Sequence, residues 1–316
     1  MNVVEKILSH QDFELAPPVL IDIGASGELH AKWKEIARYS ICIAFDADNR
    51  EMGFTEKETD TFKKLIVFSK VVTDREENEI DFFLTKSPFC SSSLEPDIEK
   101  LKDWAFKEHF NVEQKIRLKA IRLAAALQEA KIDRIDWLKT DTQGTDLRLF
   151  ESLPDEIRNK VIMAEFEPGI IDAYEGEDKL HKVMNYMDQQ GYFMSTLDVK
   201  STIRINPAVL NKFSTFHKRA VNKCLIKSPG WAEVSYLNTL KSGTFERRTY
   251  LLTYLFACLE KQFGFAIEIA KDGYDKTKDS FFLELKESSI NKIKSNNLGW
   301  PRVMIKKAGN KLLSYL

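Results

Sequence analysis

The sequence predicts an α/β fold, with a doubly wound, mostly parallel sheet followed by a mostly helical C-terminal extension. Short apolar runs such as VLIDIG (19–24) and SICIAFD (40–46) have the length of buried parallel strands. Segments with helical spacing alternate with such runs up to about residue 200, the order that right-handed βαβ units require. Beyond that point, 244–273 and 278–296 show helical periodicity alone.

The predicted elements follow in chain order. An amphipathic helix covers 1–13, a second covers 28–39, and a Ser/Pro-rich loop covers 86–97. The other predicted strands are KLIVFSKVVT (64–73), NEIDFFLT (78–85), QKIRLKAIRL (114–123), RIDWLKTD (134–141), KVIMAEFEP (160–168) and YFMSTLD (192–198). The other predicted helices are LAAALQEAK, TDLRLFESL and EDKLHKVMNYMDQQG. We therefore predict a cofactor-binding α/β domain over 1–200 and an extension over 201–316, available for covering a substrate or binding a partner.

The composition bears on which partners the protein can bind and on where in the cell it is expected. The 316 residues include 47 Lys+Arg and 48 Asp+Glu, a balance that argues against a nucleic-acid partner bound through overall charge. The four cysteines have no metal-like spacing and read as reduced thiols, as expected in the cytoplasm. The N-terminus lacks the apolar core of a signal peptide, and the longest apolar run, 250–259, is too short for a transmembrane segment.

The stretch DIGASG, followed by IAFDAD, predicts a nucleoside-containing cofactor. Gly24 permits a tight turn after the first strand, and Asp46 lies about twenty residues further on, where an acid can hold a ribose diol. A dinucleotide fits less well, because alanine replaces the middle glycine of the G-x-G-x-x-G fingerprint and Asp22 would repel a pyrophosphate. S-adenosyl-L-methionine (SAM) has no phosphate, and its ammonium could be attracted by Asp22. An ordinary strand–helix turn remains the alternative.

The stretch DWLKTDTQGTDLRLFESLP (136–154) resembles a signature of FkbM-type methyltransferases, a branch of the SAM-dependent class I enzymes. In it, a strand ends in Lys139 and Asp141, Gln143-Gly144 follows, and a helix opens with Asp146. The resemblance extends over 18–198, through DIGASGELHAKW, IAFDAD and AEFEPGIIDAYEGED. It implies a class I, Rossmann-like methyltransferase fold, SAM as cofactor, and methyl transfer to an oxygen of a sugar or other secondary metabolite.

The resemblance also implies positions for the cofactor. It places the SAM glycine loop after the first strand, the ribose acid after the second, and the adenine contact after the third, while Asp141 lies beside the methionyl group. The implied cofactor residues are Asp22, Gly24, Ala25, Ser26, Gly27, Asp46, Ala47, Thr73, Asp74 and Asp141.

Four ionisable residues are candidates for the chemistry of transfer to a hydroxyl, which needs alignment and removal of a proton. Lys139 and Asp141 share one face of their strand, and Glu165 and Glu167 share one face of the next. Neighbouring carboxylates suppress each other's ionisation, so Asp141, Glu165 or Glu167 could serve as the base. Neutralisation of Asp141 by Lys139 and helix capping by the glutamates are the structural alternatives. A divalent metal on Asp141 with a glutamate is a less favoured reading.

Several other residues have both a functional and a structural interpretation. His30 and His181 could face the cleft, although a surface or capping role is favoured for each. Tyr174 and Trp231 could stack on a sugar ring, with packing preferred, and the serines of 90–96 could line the cofactor mouth. The tail 300–316 is basic and could rest on an anionic membrane, with a docked helix preferred.

We therefore expect a SAM-dependent O-methyltransferase acting on a small-molecule or glycan acceptor. A non-catalytic SAM-fold module, recruiting a partner through its helical extension, is the alternative. A nucleotide-dependent oxidoreductase or nucleotide-sugar binder comes third, because of the missing glycine and Asp22.

Overall fold

A computed structural model describes residues 2–24, 30–45 and 61–296. The chain divides into two compact units, one spanning Leu8–Ser242 and the other joining the residues up to Ile7 with those from Gly243 onward. The α/β unit therefore extends well beyond the boundary predicted at residue 200. That position lies inside a strand, and a further strand of the same sheet follows it, so the change of pattern near residue 200 marks no domain boundary.

A seven-stranded sheet organises the α/β unit, in the order β3-β2-β1-β7-β8-β10-β9. The five strands from β3 to β8 are parallel to their neighbours, and β10 is antiparallel to both β8 and β9. The strands are β1 Val19–Ile23, β2 Ile41–Phe45, β3 Lys64–Phe68, β7 Trp137–Thr140, β8 Met163–Phe166, β9 Tyr192–Thr202 and β10 Ser228–Asn238. The predicted mostly parallel, Rossmann-like α/β sheet is confirmed.

The strand order reverses between β1 and β7, and this reversal positions the site. Successive strands from β1 proceed to one side, whereas β7 and β8 lie on the other. Open α/β sheets bind their ligands at the carboxyl ends of the strands where the order reverses, which in this sheet is between β1 and β7.

One face of the sheet is covered by an apolar core. Ile21, Ile43 and Ala164 contribute from the strands, and Leu149 and Phe150 contribute from a short helix after β7. Phe150 makes edge contacts with Phe166, Tyr186 and Tyr192. The helices described in this unit, outside residues 25–29 and 46–60, are Gln11–Leu15, Ile98–Leu101, Leu123–Ala130, Asp146–Glu151, Asp155–Arg158, Leu180–Gln189, Pro207–Leu210 and Thr215–Cys224.

A second sheet holds three strands in the order β4-β6-β5, formed by β4 Val71–Thr73, β5 Glu79–Thr85 and β6 Val112–Arg122. The single strand predicted over 64–73 is thus two strands in different sheets, separated by Ser69 and Lys70. The described part of the helix predicted over 28–39 is also different, because 30–39 forms two 3₁₀ turns, Ala31–Trp33 and Ala37–Tyr39.

The other unit is helical in the part of the chain that the structure describes, as predicted for the C-terminal region. Its helices are Val3–Leu8 (one residue of which belongs to the α/β unit), Arg247–Leu259, Phe263–Thr277 and Phe281–Asn296. Gly273 has a packing role there, because a Cβ atom at that position would lie 2.6 Å from the Phe282 ring. Among the described helices, none combines the length and apolarity needed to cross a bilayer.

Candidate functional site

A cavity of about 610 Å³ lies at the carboxyl ends of β1, β7 and β8, at the point where the strand order reverses. Polar groups line it where the strands end, and the loop predicted over 86–97 contributes Ser87 to Ser91 and Ser93. Its aromatic wall consists of Phe45, Phe82, Phe89, Phe106, Phe110, Tyr174 and Trp231. Its volume is within the range of about 300–1,000 Å³ typical of small-molecule sites.

Gly24 joins β1 to the cavity at a place where no side chain fits. Its φ of +83° is in the left-handed region, and a Cβ atom would lie 2.1 Å from the main-chain oxygen of Asp141. The amide of Asp141 in turn donates to the Ile23 carbonyl at 2.9 Å, so the two strand ends are joined side by side. The sequence predicted that Gly24 lets a ligand approach the backbone. The structure shows that Gly24 lets the ends of β1 and β7 approach each other.

Asp22 and Lys139 form an ion pair across β1 and β7. They are register partners, and the Lys139 ammonium donates to the Asp22 carboxylate at 2.8 Å. Although burial alone would lower the pKa of Lys139, the surrounding carboxylates of Asp22, Asp141 and Glu165 raise it above the ordinary lysine value. Asp22 is 3% exposed and does not line the cavity. Lys139, rather than a ligand ammonium, therefore occupies the position facing Asp22, and its retained proton makes it unsuitable as a base.

Glu165 lies away from the cavity and is fully engaged, which corrects its prediction as a base. Its carboxylate accepts from Lys32 at 2.7 Å, from the Trp137 indole at 2.7 Å and from the Ser235 hydroxyl, and it lies 3.2 Å from His30. Burial alone would raise the pKa of Glu165, but these donors outweigh burial and lower it to about 2. Glu165 therefore remains ionised and ties the 30–33 segment to the sheet.

Asp141 and Glu167 form a carboxyl pair on the cavity wall, one after β7 and the other after β8. The two side chains are near enough for a protonated Glu167 to favour the ionised form of Asp141 by hydrogen bonding. Burial and the neighbouring Asp141 and Asp146 carboxylates raise the pKa of Glu167 to about 9. Burial also raises the pKa of Asp141, against the opposing influence of Lys139 and Gln143. Glu167 consequently keeps its proton at neutral pH, while the Lys139 ammonium and the Gln143 amide favour the ionised form of Asp141.

Gln143 orients this pair, a role that the sequence did not reveal. Its amide nitrogen donates to Asp141 at 2.6 Å, and its amide oxygen lies 3.1 Å from the Tyr174 hydroxyl. The backbone of Gln143 has a φ of +56°, and its carbonyl accepts from the Ser92 hydroxyl at 2.9 Å. Tyr174 is 4% exposed with its hydroxyl bonded, so packing and hydrogen bonding account for it better than stacking on a sugar.

Asp146 and Glu177 support the loops around the cavity and were also missed as functional residues. Asp146 accepts from the amide of Thr142 at 3.0 Å and from the amide of Glu167 at 2.7 Å, joining the loops after β7 and β8. Burial raises the pKa of Asp146 to about 6. Glu177 lines the cavity and leaves no space for a side chain at Gly144 or Gly169. The sequence contained only weak signals of these two roles. Asp146 stands at the start of a predicted helix, and Glu177 belongs to the AYEGED stretch.

Thr73 and Asp74, predicted at the adenine, do not line the large cavity. They line a neighbouring cavity of about 170 Å³, whereas Lys70, Val71 and Val72 reach the large one. Residues 70–72, rather than 73 and 74, reach the large cavity because the chain leaves the main sheet at the end of β3 and β4 belongs to the second sheet. The predicted cofactor residues Ala25, Ser26, Gly27, Asp46 and Ala47 lie outside the described residues.

The remaining candidates have the following positions. His30 is bound to Glu165, and His181 is exposed on the helix Leu180–Gln189 without lining the cavity. Trp231 does line the cavity, in edge contact with Phe106. Within the described ranges, no group of three or more His, Cys, Asp or Glu side chains is arranged to hold a metal. Of the serines in 90–96, Ser91 and Ser93 line the cavity. The tail 300–316 lies outside the described residues.

Comparison with known proteins identifies the central part of this unit. The model of the "Methyltransferase FkbM domain" matches residues 69–194, from just before β4 into β9. Residues 69–194 are thus similar to the FkbM methyltransferase domain. The match covers the carboxyl pair, Gln143 and Asp146, but not the glycine loop or Asp46, and it is less than half of the chain.

The match to the FkbM domain supports a methyltransferase, and methyltransferases of this family use SAM as cofactor. Among solved structures, precorrin-6y C5,15-methyltransferase from Geobacter metallireducens GS-15 matches at 11% identity, covering 75% of this chain and 86% of that one. Its TM-score is 0.32, too low to bear on fold or function. No curated protein gives a sequence match.

Proposed function

We propose that this methyltransferase transfers the methyl group of SAM to a hydroxyl of a sugar, glycan or sugar-containing metabolite. The observation that carries the proposal is the Asp141–Glu167 carboxyl pair on the cavity wall. A hydroxyl acceptor must lose a proton during transfer, and the Asp141 carboxylate beside a protonated Glu167 can take it.

The cavity suits a cationic cofactor better than a phosphorylated one. Its lining includes the carboxyl groups of Asp141, Glu167 and Glu177, of which Glu167 keeps its proton and Glu177 is paired with Lys179. The Lys139 ammonium is already paired with Asp22, so the Asp141 carboxylate is available to a cation. A sulfonium and an ammonium are stabilised beside carboxylates, and a pyrophosphate is repelled by them. Gly24 and the Asp141 region would border the cofactor, and Asp46 remains the ribose residue predicted by the sequence.

Bound SAM supplies a methyl carbon activated by the positive charge of its sulfur. SAM bound there would supply this methyl group to the acceptor oxygen and leave as S-adenosylhomocysteine. The Asp141 carboxylate would take the hydroxyl proton, while the Gln143 amide donates to its Oδ1 and Glu167 favours its ionised form. The aromatic wall, with Trp231 and Phe106 in contact, offers flat apolar surfaces of the kind on which sugar rings pack.

Two experiments test the proposal. Calorimetric titration should show binding of SAM and S-adenosylhomocysteine but not of NAD or a nucleotide-sugar. Incubation with methyl-labelled SAM and a panel of glycans should then label a hydroxyl of one class. SAM binding with no transfer to oxygen in any acceptor would favour a non-catalytic module or another acceptor atom. A cytoplasmic location remains an expectation from the sequence.

A further inference from the structure

The segment between β9 and β10 presents large apolar side chains to solvent. Of the residues between Arg204 and Pro229 whose burial the structure describes, none is buried. Phe216 is 76% exposed and Ile226 is 94% exposed. Val209, Phe213 and Leu225 are exposed as well. Because exposing so many apolar groups without burial is unfavourable, this surface is suited to a partner.

The same segment is uniformly basic. Residues 204–229 contain no Asp or Glu, although the whole chain carries 48 acids and a formal charge of -1. Residues 207–227, which we call the basic segment, contain Lys212, Lys218, Arg219, Lys223 and Lys227. Four of these five are exposed and Lys218 is half-buried. A positive surface of this kind is complementary to an anionic one.

The helix Thr215–Cys224 separates the two kinds of side chain. Phe216, Ala220 and Cys224 recur at four-residue spacing, and Arg219 and Lys223 form the adjacent row that borders them. The Ser214 hydroxyl caps the helix by accepting from the His217 amide. A capped helix with an apolar face and a basic face is the form in which chains lie in the plane of a membrane interface.

The basic segment is held close to the mouth of the cavity. The Ala105 amide donates to the Ile203 carbonyl at 3.0 Å, and Asn206 donates to Asp103 at 3.2 Å. The strand ends on either side, at Thr202 and Gly230, line the cavity. A surface that binds the basic segment is therefore brought near the cavity.

We propose that the basic segment binds the surface of an anionic lipid bilayer. Aliphatic side chains such as Leu225 and Ile226 enter the acyl boundary, while the lysines and Arg219 contact lipid phosphates. A nucleic acid would use the basic side chains but would leave these exposed aliphatic groups in water, because bases stack on aromatic side chains. This interaction needs neither SAM nor acceptor, so it is tested independently of the proposed activity.

The test is co-sedimentation of the full chain with two kinds of vesicle, phosphatidylcholine alone and phosphatidylcholine with about 30% phosphatidylserine. The chain should bind the anionic vesicles. About 0.5 M salt should weaken that binding strongly, because it screens the charges. Since each basic residue near an anionic leaflet contributes about a fivefold gain, K218Q/R219Q/K223Q should lower binding by about 100-fold. F216S/I226S should lower binding by about tenfold or more.

Matched controls substitute residues exposed elsewhere on the same unit. K102Q/K119Q/K131Q removes the same number of charges, and L15S/M184S removes two exposed apolar side chains. Both should bind like the parent, and circular dichroism should show that every variant is folded. Failure of the parent to bind anionic vesicles would refute the proposal. So would binding that F216S/I226S leaves unchanged, because that result indicates a general polyanion or protein site.

Discussion

Gly24 lies so close to Asp141 that the main-chain oxygen of Asp141 stands 2.1 Å from where a Cβ atom of residue 24 would be. This contact joins the ends of β1 and β7 at the point where the strand order reverses. The carboxyl side chain of Asp141 projects from the same junction into the cavity. The geometry of the proposed base therefore depends on the absence of a side chain at position 24.

Gly24→Ala should separate the two strand ends and weaken both folding and SAM binding. The added carbon overlaps backbone rather than a flexible side chain, so we expect a loss of about 3 kcal/mol or more in the free energy of unfolding. Gly176→Ala is the matched control, because Gly176 also has a positive φ, +70°, but nothing lies within 4 Å of its added carbon. It should cost only about 1–2 kcal/mol. Chemical denaturation of both variants measures the difference, and equal losses would contradict this account.

Asp141→Asn should lower kcat by about 10²–10⁴, because the amide cannot take the hydroxyl proton. Glu167→Gln should have a smaller effect, within about tenfold, because glutamine can still donate to Asp141. Steady-state kinetics with labelled SAM, together with calorimetric SAM affinity, separates turnover from binding. Near-normal turnover of Asp141→Asn would remove the pair from the chemistry and direct the search to alignment alone.

Gln143→Asn should move the acidic limb of the pH–rate profile to higher pH. The Gln143 hydrogen bond lowers the pKa of Asp141, so a side chain too short to reach it raises that pKa. A higher pH is then needed to ionise Asp141. Asparagine tolerates the left-handed backbone at this position, where φ is +56°. Gln128→Asn, on an exposed helix position, is the control. An unmoved limb would show that Gln143 does not tune Asp141.

Glu165→Gln should destabilise the fold at neutral pH with little direct effect on chemistry. Because Lys32 keeps 32% of its side chain exposed, we expect about 2 kcal/mol rather than the 3–5 of a fully buried pair. The folded pKa of Glu165 is about 2, below its unfolded value of 4.5, so its contribution is present above pH 4.5 and disappears as pH falls towards 2.

Urea denaturation at pH 7 and at lower pH measures this loss. The stability gap between parent and Glu165→Gln should narrow as the solution is acidified. Glu129→Gln removes a surface carboxylate that is 57% exposed and should change little at either pH. A gap that stays constant with pH would mean that the charge of Glu165 is not what stabilises the fold.

Asp46→Ala tests the part of the site that the sequence alone assigns. Loss of charge-assisted hydrogen bonds to the ribose, each about 1.5–3 kcal/mol, should weaken SAM binding in calorimetry. Asp133→Ala, at a carboxylate that is 88% exposed, should bind SAM normally. Unchanged SAM affinity in folded Asp46→Ala protein would exclude Asp46 from the site.

The sequence by itself determined most of the strands up to β9, the glycine at position 24, and the carboxylates that follow β7 and β8. These features are local, because apolar periodicity and turn residues act over a few neighbouring positions. Periodicity could not show that β10 returns to the sheet after the basic segment, since a strand's partner is chosen by distant residues.

Only the tertiary structure decided which carboxylate faces the cavity. Alternation placed Glu165 and Glu167 on one face, but β8 ends at Phe166, so Glu167 is free to turn towards Asp141. Glu165 stays within the strand, where His30 and Lys32 cover it. Likewise, Lys139 pairs with Asp22 because the two are register partners in neighbouring strands, a relation that separation along the chain conceals. Partners of buried charges are set by the packing of remote segments, and that packing exists only in the folded chain.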